Sequence, residues 1–331
     1  MKKRACFTAM VTPFNAEGSI DWEGFKKNIK FQIQEEVKGL VPVGTTGESP
    51  TLSPQEHSDV ISQVAGLAEE DIFVLAGAGS NSTEEMLHYG EAAKAAGCQG
   101  LLLVDCYYNG PSSLELREEY YKPAAEKFSD LTICPYVIPG RTGCALLPED
   151  LKELAENYPN VEAVKEATGD LDRMKETRKM MPEGFQIFSG DDDKTFDMMT
   201  DENIRANGVI SVMANVAPGA IQKMCDSILR GDMKEAREIK EALDPLFGMV
   251  NVVCGRNKFR NPVPVKTIMR GLGMPAGNCR RPLGRVIPEG VERIKNTLTQ
   301  IWEENPWVLR PIEEHYGVDI TERLNNPDAW Q

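Results

Sequence analysis

Apolar residues along this chain fall into short continuous runs, each followed by a stretch with helical spacing. The runs are RACFTAMV (4–11), GLVPV (39–43), IFVLAG (72–77), GLLLV (100–104), TICPYV (132–137), VEAVK (161–165), FQIFSG (185–190) and NGVISV (207–212). Runs of this length bounded by turn residues read as strands buried on both faces, as in a parallel sheet. Between them, WEGFKKNIKFQIQEEV (22–37), PQEHSDVISQVAGLAEE (54–70), TEEMLHYGEAAKAAG (83–97), LELREEYYKPAAEKF (114–128), LPEDLKELAENY (147–158), LDRMKETRKMM (171–181) and APGAIQKMCDSILRG (217–231) repeat apolar positions every three or four residues. KTFDMMTDENIR (194–205) is the weakest of the helical patterns. Eight consecutive strand–helix units without a linker predict an α/β fold, a (β/α)8 TIM barrel over residues 1–231, in preference to an open doubly wound sheet. Residues 232–331 read as a C-terminal helical appendage, with MKEAREIKEALDPLFGMV, VPVKTIMRGLG and GVERIKNTLTQIWEE as its helices.

A barrel of this kind carries its chemistry at the C-terminal ends of the strands. Applied along the chain, that rule gathers GTTGES (44–49), GAGSNS (77–82), DCYYNGPS (105–112), PYVIPGRTG (135–143) and SGDDD (189–193) at one mouth. Lys165 ends the sixth run, ahead of a turn and cap at Thr168, Gly169 and Asp170. An ammonium in a dry barrel loses solvation, its pKa falls, and the free amine can add to a carbonyl to make a Schiff base. The competing reading is an ion pair with Glu166 or with an acid of SGDDD, and spacing alone leaves both open.

Charge and cysteine content narrow the partners. The net charge of −14 argues against nucleic acid or an anionic membrane as partner, so the expected partners are small molecules. No run of about 18 apolar residues occurs. The opening MKKRACFTAMVTPF is basic and then apolar, but Thr8, Thr12 and Pro13 interrupt it, so it reads as a first strand and the protein as cytoplasmic. Eight cysteines without a CxxC pair or nearby histidines form neither a zinc pattern nor a disulfide framework, so reduced thiols are expected. GTTGES lacks the lysine of a phosphate loop, and its backbone N–H groups suit a carboxylate. GAGSNS lacks the third glycine of a dinucleotide site and reads as a turn. For SGDDD, helix capping by the aspartates is preferred to a magnesium site, so no metal is expected. Asn81-Ser82-Thr83 matches a glycosylation acceptor, which has no bearing without a secretory signal. Cys134 and Cys144 read as packing.

GTTGESPTLSPQEH (44–57), YYNGPS (107–112), PYVIPGRTG (135–143), VKEATGDL (164–171), SGDD (189–192), GVISVMANVAP (208–218) and NPVPVK (261–266) follow one another in a specific order. In that order, over residues 4–300, the chain resembles the pyruvate-dependent class I aldolases, a family that includes dihydrodipicolinate synthases and N-acetylneuraminate lyases. GTTGE, YYN and KEATGDL stand closest to the first of these branches, whose members condense pyruvate with L-aspartate 4-semialdehyde to 4-hydroxy-tetrahydrodipicolinate on the route to diaminopimelate and lysine. The resemblance implies a Schiff-base lyase that uses no cofactor beyond the imine of pyruvate on Lys165. It implies Tyr136 as acid/base, Thr45 as a link from Tyr136 to Tyr108 of a neighbouring subunit, and Thr45, Thr46 and Gly47 as holders of the pyruvate carboxylate. Arg141 corresponds to the arginine that receives the aldehyde substrate's carboxylate, and Gly190 and Ile210 to further substrate contacts. A lysine regulatory site would comprise Ser49, His57, Asn81, Glu85 and Tyr107, and the assembly would be a homotetramer (a dimer of dimers) or a homodimer.

Departures from the family pattern are local. Val137 and Gly140 replace an asparagine and a serine beside Tyr136, which bears on the aldehyde substrate rather than on the Schiff base. Pro54 stands where lysine-inhibited members often carry histidine. Residues 301–331 extend past the usual end, and their Trp302, Trp307 and Trp330 suggest packing on the barrel or on a partner subunit. Other 2-oxo acid aldolases, of 2-keto-3-deoxygluconate or N-acetylneuraminate type, form the alternative within the class, and a non-catalytic barrel that binds 2-oxo acids is the alternative outside it.

Overall fold

The structure, a computed structural model, describes residues 5–330. Eight parallel strands, β1 (Ala5–Ala9), β2 (Gly39–Val41), β3 (Phe73–Gly77), β4 (Gly100–Val104), β5 (Thr132–Val137), β6 (Ala163–Glu166), β7 (Gln186–Ser189) and β8 (Gly208–Ser211), close in sequence order into a barrel. Each matches a run read from the sequence: β4 and β5 coincide with theirs, β6 extends one residue past its run, and the others are shorter; Arg4, where the first run began, lies outside the described residues. The registers set β6 between its neighbours, with Lys165 opposite Tyr136 of β5 and Phe188 of β7.

By its contacts the chain forms two compact units. The first contains the opening part of β1, Lys38–Gly44 and Leu52–Ile210; the second contains Thr8–Val37, Thr45–Thr51 and the chain from Ser211 onward. The first unit is organised by aromatic packing inside the strands. The Phe7 ring meets Phe188 edge-on at 5.2 Å and Phe73 at 5.9 Å. Its helices start where the chain supplies caps. Ser53 and Glu56 form a reciprocal capping box with Pro54 at the first helical position of Pro54–Leu67, and Ser112 with Glu115 repeats the device.

The helical stretch at 113–127 contains a π segment, Leu116–Tyr121, that the apolar spacing does not show. The wider turn lets two consecutive side chains, Tyr120 and Tyr121, both bury themselves and hydrogen-bond to β4, through the carbonyls of Val104 and Leu103, each at 3.1 Å.

The second unit carries Trp22–Gln34 and the helices Pro218–Arg230, Met233–Phe247, Val263–Gly271 and Pro288–Glu304. It is not wholly helical after residue 232, as the sequence suggested. β9 (Val252–Cys254) and β10 (Asn257–Phe259) pair as a hairpin whose two-residue turn has Gly255 at φ +55°. Three-residue strands between two strong helical patterns leave no periodicity to read. Past residue 305 the chain folds into Arg310–Tyr316 and Ile320–Asn325, which dock within this unit. Tyr316 donates to Asn28, and the Trp330 indole donates to the Arg323 carbonyl. Among the described residues no helix is long and apolar enough to cross a membrane, and none of the eight cysteines forms a disulfide.

Candidate active site

Lys165 is the penultimate residue of β6, a strand buried along its whole length, and only 4% of its surface is exposed. Its Nζ lies 4.3 Å from the centroid of the Tyr136 ring, itself 5% exposed. Burial pulls the Lys165 pKa down to about 8, against the charges of Asp191, Asp192 and Cys134, while Arg141 adds to the depression. About a tenth of the amine is therefore free at pH 7, far more than for an ordinary lysine, and nucleophilic addition requires that form. The alternative that Lys165 pairs with Glu166 is not what the structure holds. Glu166 turns to Arg173, at 3.3 Å, and to the Thr168 hydroxyl, at 3.1 Å.

The SGDDD segment departs from the capping role expected of it. No side chain of Asp191 caps the helix that follows; instead its carbonyl accepts the Thr195 hydroxyl at 3.0 Å. Asp191 and Asp192 contribute charge toward Lys165, and burial raises the Asp191 carboxyl, with Asp193 adding to it. Gly190 is a matter of space. A Cβ there would lie 2.5 Å from that of Ala167 and 3.1 Å from Lys165 Cε, so only glycine leaves the lysine stem its path.

A buried polar chain supports this strand. Asp105, just past β4, accepts from the Tyr121 hydroxyl at 2.5 Å and from the Leu146 N–H at 3.2 Å, and Leu146 in turn accepts from Arg173, the partner of Glu166. Burial lifts Asp105 to about 7, against the lowering effect of those bonds. The segment anchored at Leu146 is the one that bears Arg141, on the short helix Pro139–Thr142, where Arg141 is exposed. Ile210 is fully buried in β8. Asp105 opens a segment that the barrel rule placed at the mouth but carried no role of its own, and nothing singled out Arg173; the burial of Asp105 and the Glu166–Arg173 pair identify them.

Tyr107 and Tyr108 differ. Tyr107 is half-buried near Ser80 and Glu85. Tyr108 is 89% exposed, holds a left-handed backbone at φ +80°, and makes no hydrogen bond, ring or ionic contact among the described residues. Such strain in a non-glycine residue is kept where the surroundings impose it. Of the predicted regulatory residues, His57 is buried and stacks on Tyr89 at 3.6 Å, while Glu85 hydrogen-bonds Ser80 and Tyr89 and Asn81 is exposed. Burial, with His88 adding to it, drives the His57 pKa down to about 3, and neither ring nitrogen has a hydrogen-bond partner.

In the second unit, Thr45 is half-buried, Thr46 and Gly47 are buried, and Ser49 begins a short 3-10 turn. The Thr46 hydroxyl accepts from Asn261 Nδ2 at 3.0 Å, and the Gly47 carbonyl accepts from Thr12 at 2.8 Å. The next residue, Glu48, has a left-handed backbone at φ +60° and is buried against Lys266, with N···O at 2.7 Å. The Arg280 backbone N–H also donates to Glu48, and Lys266 lies 4.1 Å above the Phe14 ring and donates to the Thr12 carbonyl. Glu48 and Lys266 are thus the anchor of the GTTGES loop. The motifs GTTGES and NPVPVK contain them, but reading the residues singly gave them no role. Among the described residues no three acids, histidines or cysteines group as a metal site.

The model of the dihydrodipicolinate synthetase family matches residues 2–301. A 4-hydroxy-tetrahydrodipicolinate synthase from Hydrogenobaculum sp. (strain Y04AAS1) is 39% identical over 291 residues, covering 88% of this chain and 96% of that protein. A solved structure described as the first monomeric dihydrodipicolinate synthase variant is similar with a TM-score of 0.84 at 34% identity, covering 91% of this chain and 97% of its own. The dihydrodipicolinate synthase of Cyanidioschyzon merolae, solved with lysine bound, gives a TM-score of 0.84 at 31% identity, covering 91% of this chain and 98% of its own.

Proposed function

Since the chain belongs to the dihydrodipicolinate synthetase family, we propose that it condenses pyruvate with L-aspartate 4-semialdehyde to 4-hydroxy-tetrahydrodipicolinate, with Lys165 as the imine-forming amine. The observation that carries this reading is a buried lysine with its pKa lowered to about 8, lying on the ring of a buried tyrosine. The free amine of Lys165 adds to C2 of pyruvate, and loss of water leaves an iminium. Loss of a methyl proton gives the enamine, whose carbon attacks the aldehyde, and the new alkoxide takes a proton. The amino group of the semialdehyde then displaces Lys165 from C2, closing the ring and restoring the lysine. One water is released overall, and no cofactor is consumed.

Tyr136 serves as the acid/base in these transfers, since a phenol can pass protons while staying neutral. Thr45 relays protons, and Thr45, Thr46 and Gly47 hold the pyruvate carboxylate; the backbone donors of GTTGES support that assignment. Arg141 receives the semialdehyde carboxylate, for which a planar guanidinium offers two parallel donors. Gly190 and Ile210 line the substrate. Tyr108, projecting and strained, completes the relay of a neighbouring subunit in a homodimer or homotetramer, and the protein works in the cytoplasm. Ser49, His57, Asn81, Glu85 and Tyr107 form a regulatory site for lysine; the unpartnered His57 ring supports it, as does the lysine-bound relative.

The test is reductive trapping. Borohydride with pyruvate should add a reduced pyruvyl group to Lys165 and to no other lysine, at a rate that climbs as pH rises toward 8. An aldehyde panel run alongside should favour the semialdehyde over polyhydroxylated aldehydes. Full inactivation with Lys165 unmodified would overturn the mechanism.

A further inference from the structure

Residues past the family match, which ends at 301, close one side of a cleft in the second unit. The start of the helix Pro288–Glu304, the end of Val263–Gly271 and the C-terminal residues enclose a cleft of about 330 Å³. Arg270, Arg285 and Lys295 line it, with Pro327 and Trp330 on the side of the extension, and among the described residues Glu292 is the one carboxylate in its lining. Three cations against one acid is a local reversal in a chain of net charge −14.

The cations are poorly compensated. Glu292 reaches Lys295 at 3.6 Å, and Lys295 keeps only 19% of its side-chain surface exposed. Arg285 makes no hydrogen bond or ion pair among the described residues. Arg270 is tied through one nitrogen to Asn278, at 2.5 Å, while its buried Nε has no acceptor. Burial and then the Arg285 charge hold Arg270 below its ordinary pKa, so the two guanidiniums stand as uncompensated neighbours. The cleft is also built firmly. Arg323 donates to the carbonyls of Arg270 and Gly271, at 2.7 and 2.8 Å, and the Trp330 ring seats on Gly271. The helix that opens onto it begins without a side-chain cap, so its positive end adds to the field.

We propose that this cleft binds a phosphorylated small molecule, its phosphate held by Arg270, Arg285 and Lys295. Paired guanidiniums match phosphate oxygens two at a time, and the volume leaves room for an organic body beyond the phosphate.

Calorimetric titration of the full chain with pyrophosphate, AMP and citrate tests the proposal. At least one phosphate probe should bind, more tightly than citrate and more weakly as salt rises. Arg285→Ala should weaken that binding by about tenfold or more, the scale of a lost charge-assisted bond. Glu292→Gln should tighten it, and pyruvate trapping at Lys165 should be unchanged in both variants. The proposal fails if neither phosphate probe binds at millimolar concentration, if citrate binds as tightly, or if Arg285→Ala binds like the parent.

Discussion

Replacing Lys165 with methionine should abolish imine formation and stabilise the protein. The side chain is 4% exposed, and its pKa falls from 10.5 to about 8 chiefly because burial penalises the ammonium. At about 1.4 kcal/mol for each tenfold change in proton affinity, a protonated Lys165 costs the folded state about 3 kcal/mol. The sign follows from proton counting. Between 8 and 10.5 the unfolded chain holds the proton that the folded chain has shed, so stability rises with pH across that window. Below 8 the penalty is present in full. Methionine keeps the length of the stem without the charge, so Lys165→Met should gain about 3 kcal/mol at pH 7 and only about 1.4 kcal/mol at pH 9.5. Urea denaturation of both proteins at the two pH values reads the difference. A variant no more stable than the parent at pH 7, or a gain that ignores pH, would refute the reasoning. Either result would mean that Asp191 and Asp192 compensate the ammonium and that its reactivity has another source.

Tyr136→Phe should keep the fold and lower turnover by roughly 10²–10⁴, the scale of a positioned acid/base, with trapping at Lys165 slowed rather than lost. Tyr108→Phe should also slow turnover, and mixing inactive Lys165→Arg and Tyr108→Phe chains should restore part of the activity; mixed oligomers without rescue would remove the assignment across subunits. Lys266→Met leaves the Glu48 carboxylate buried without its counter-charge and should cost about 3–5 kcal/mol, read from the denaturation midpoint, with Glu48→Gln in the same chain recovering part of it. Millimolar L-lysine should lower the steady-state rate and Glu85→Ala should blunt that effect; a parent enzyme indifferent to lysine would leave His57 and Glu85 as packing.

Strands buried on both faces are readable as runs because nothing in a parallel barrel forces alternation, so β4 and β5 match their runs residue for residue. Lys165 was legible for a related reason: a charge at the end of such a run has to be explained. What escaped the sequence depends on where the chain returns. Lys266 meets Glu48 across 218 residues, and neither reads as a buried charge from its neighbours. The π segment at Leu116–Tyr121 is a matter of hydrogen-bond register, which apolar spacing does not encode. Asp191 looked like a cap because aspartate before a helix usually is one; the nearby lysine gives its charge another use.

Trp330 and Gly271 have a consequence for how this chain can change over generations. A methyl group at position 271 would collide with the indole ring, so the tail and the glycine constrain each other. Without that ring, alanine, the better helix former, would be open at that position. While the tail is docked, any side chain at position 271 requires the ring to move away. The extension therefore constrains a helix that lies outside it in sequence, the helix that also carries Lys266.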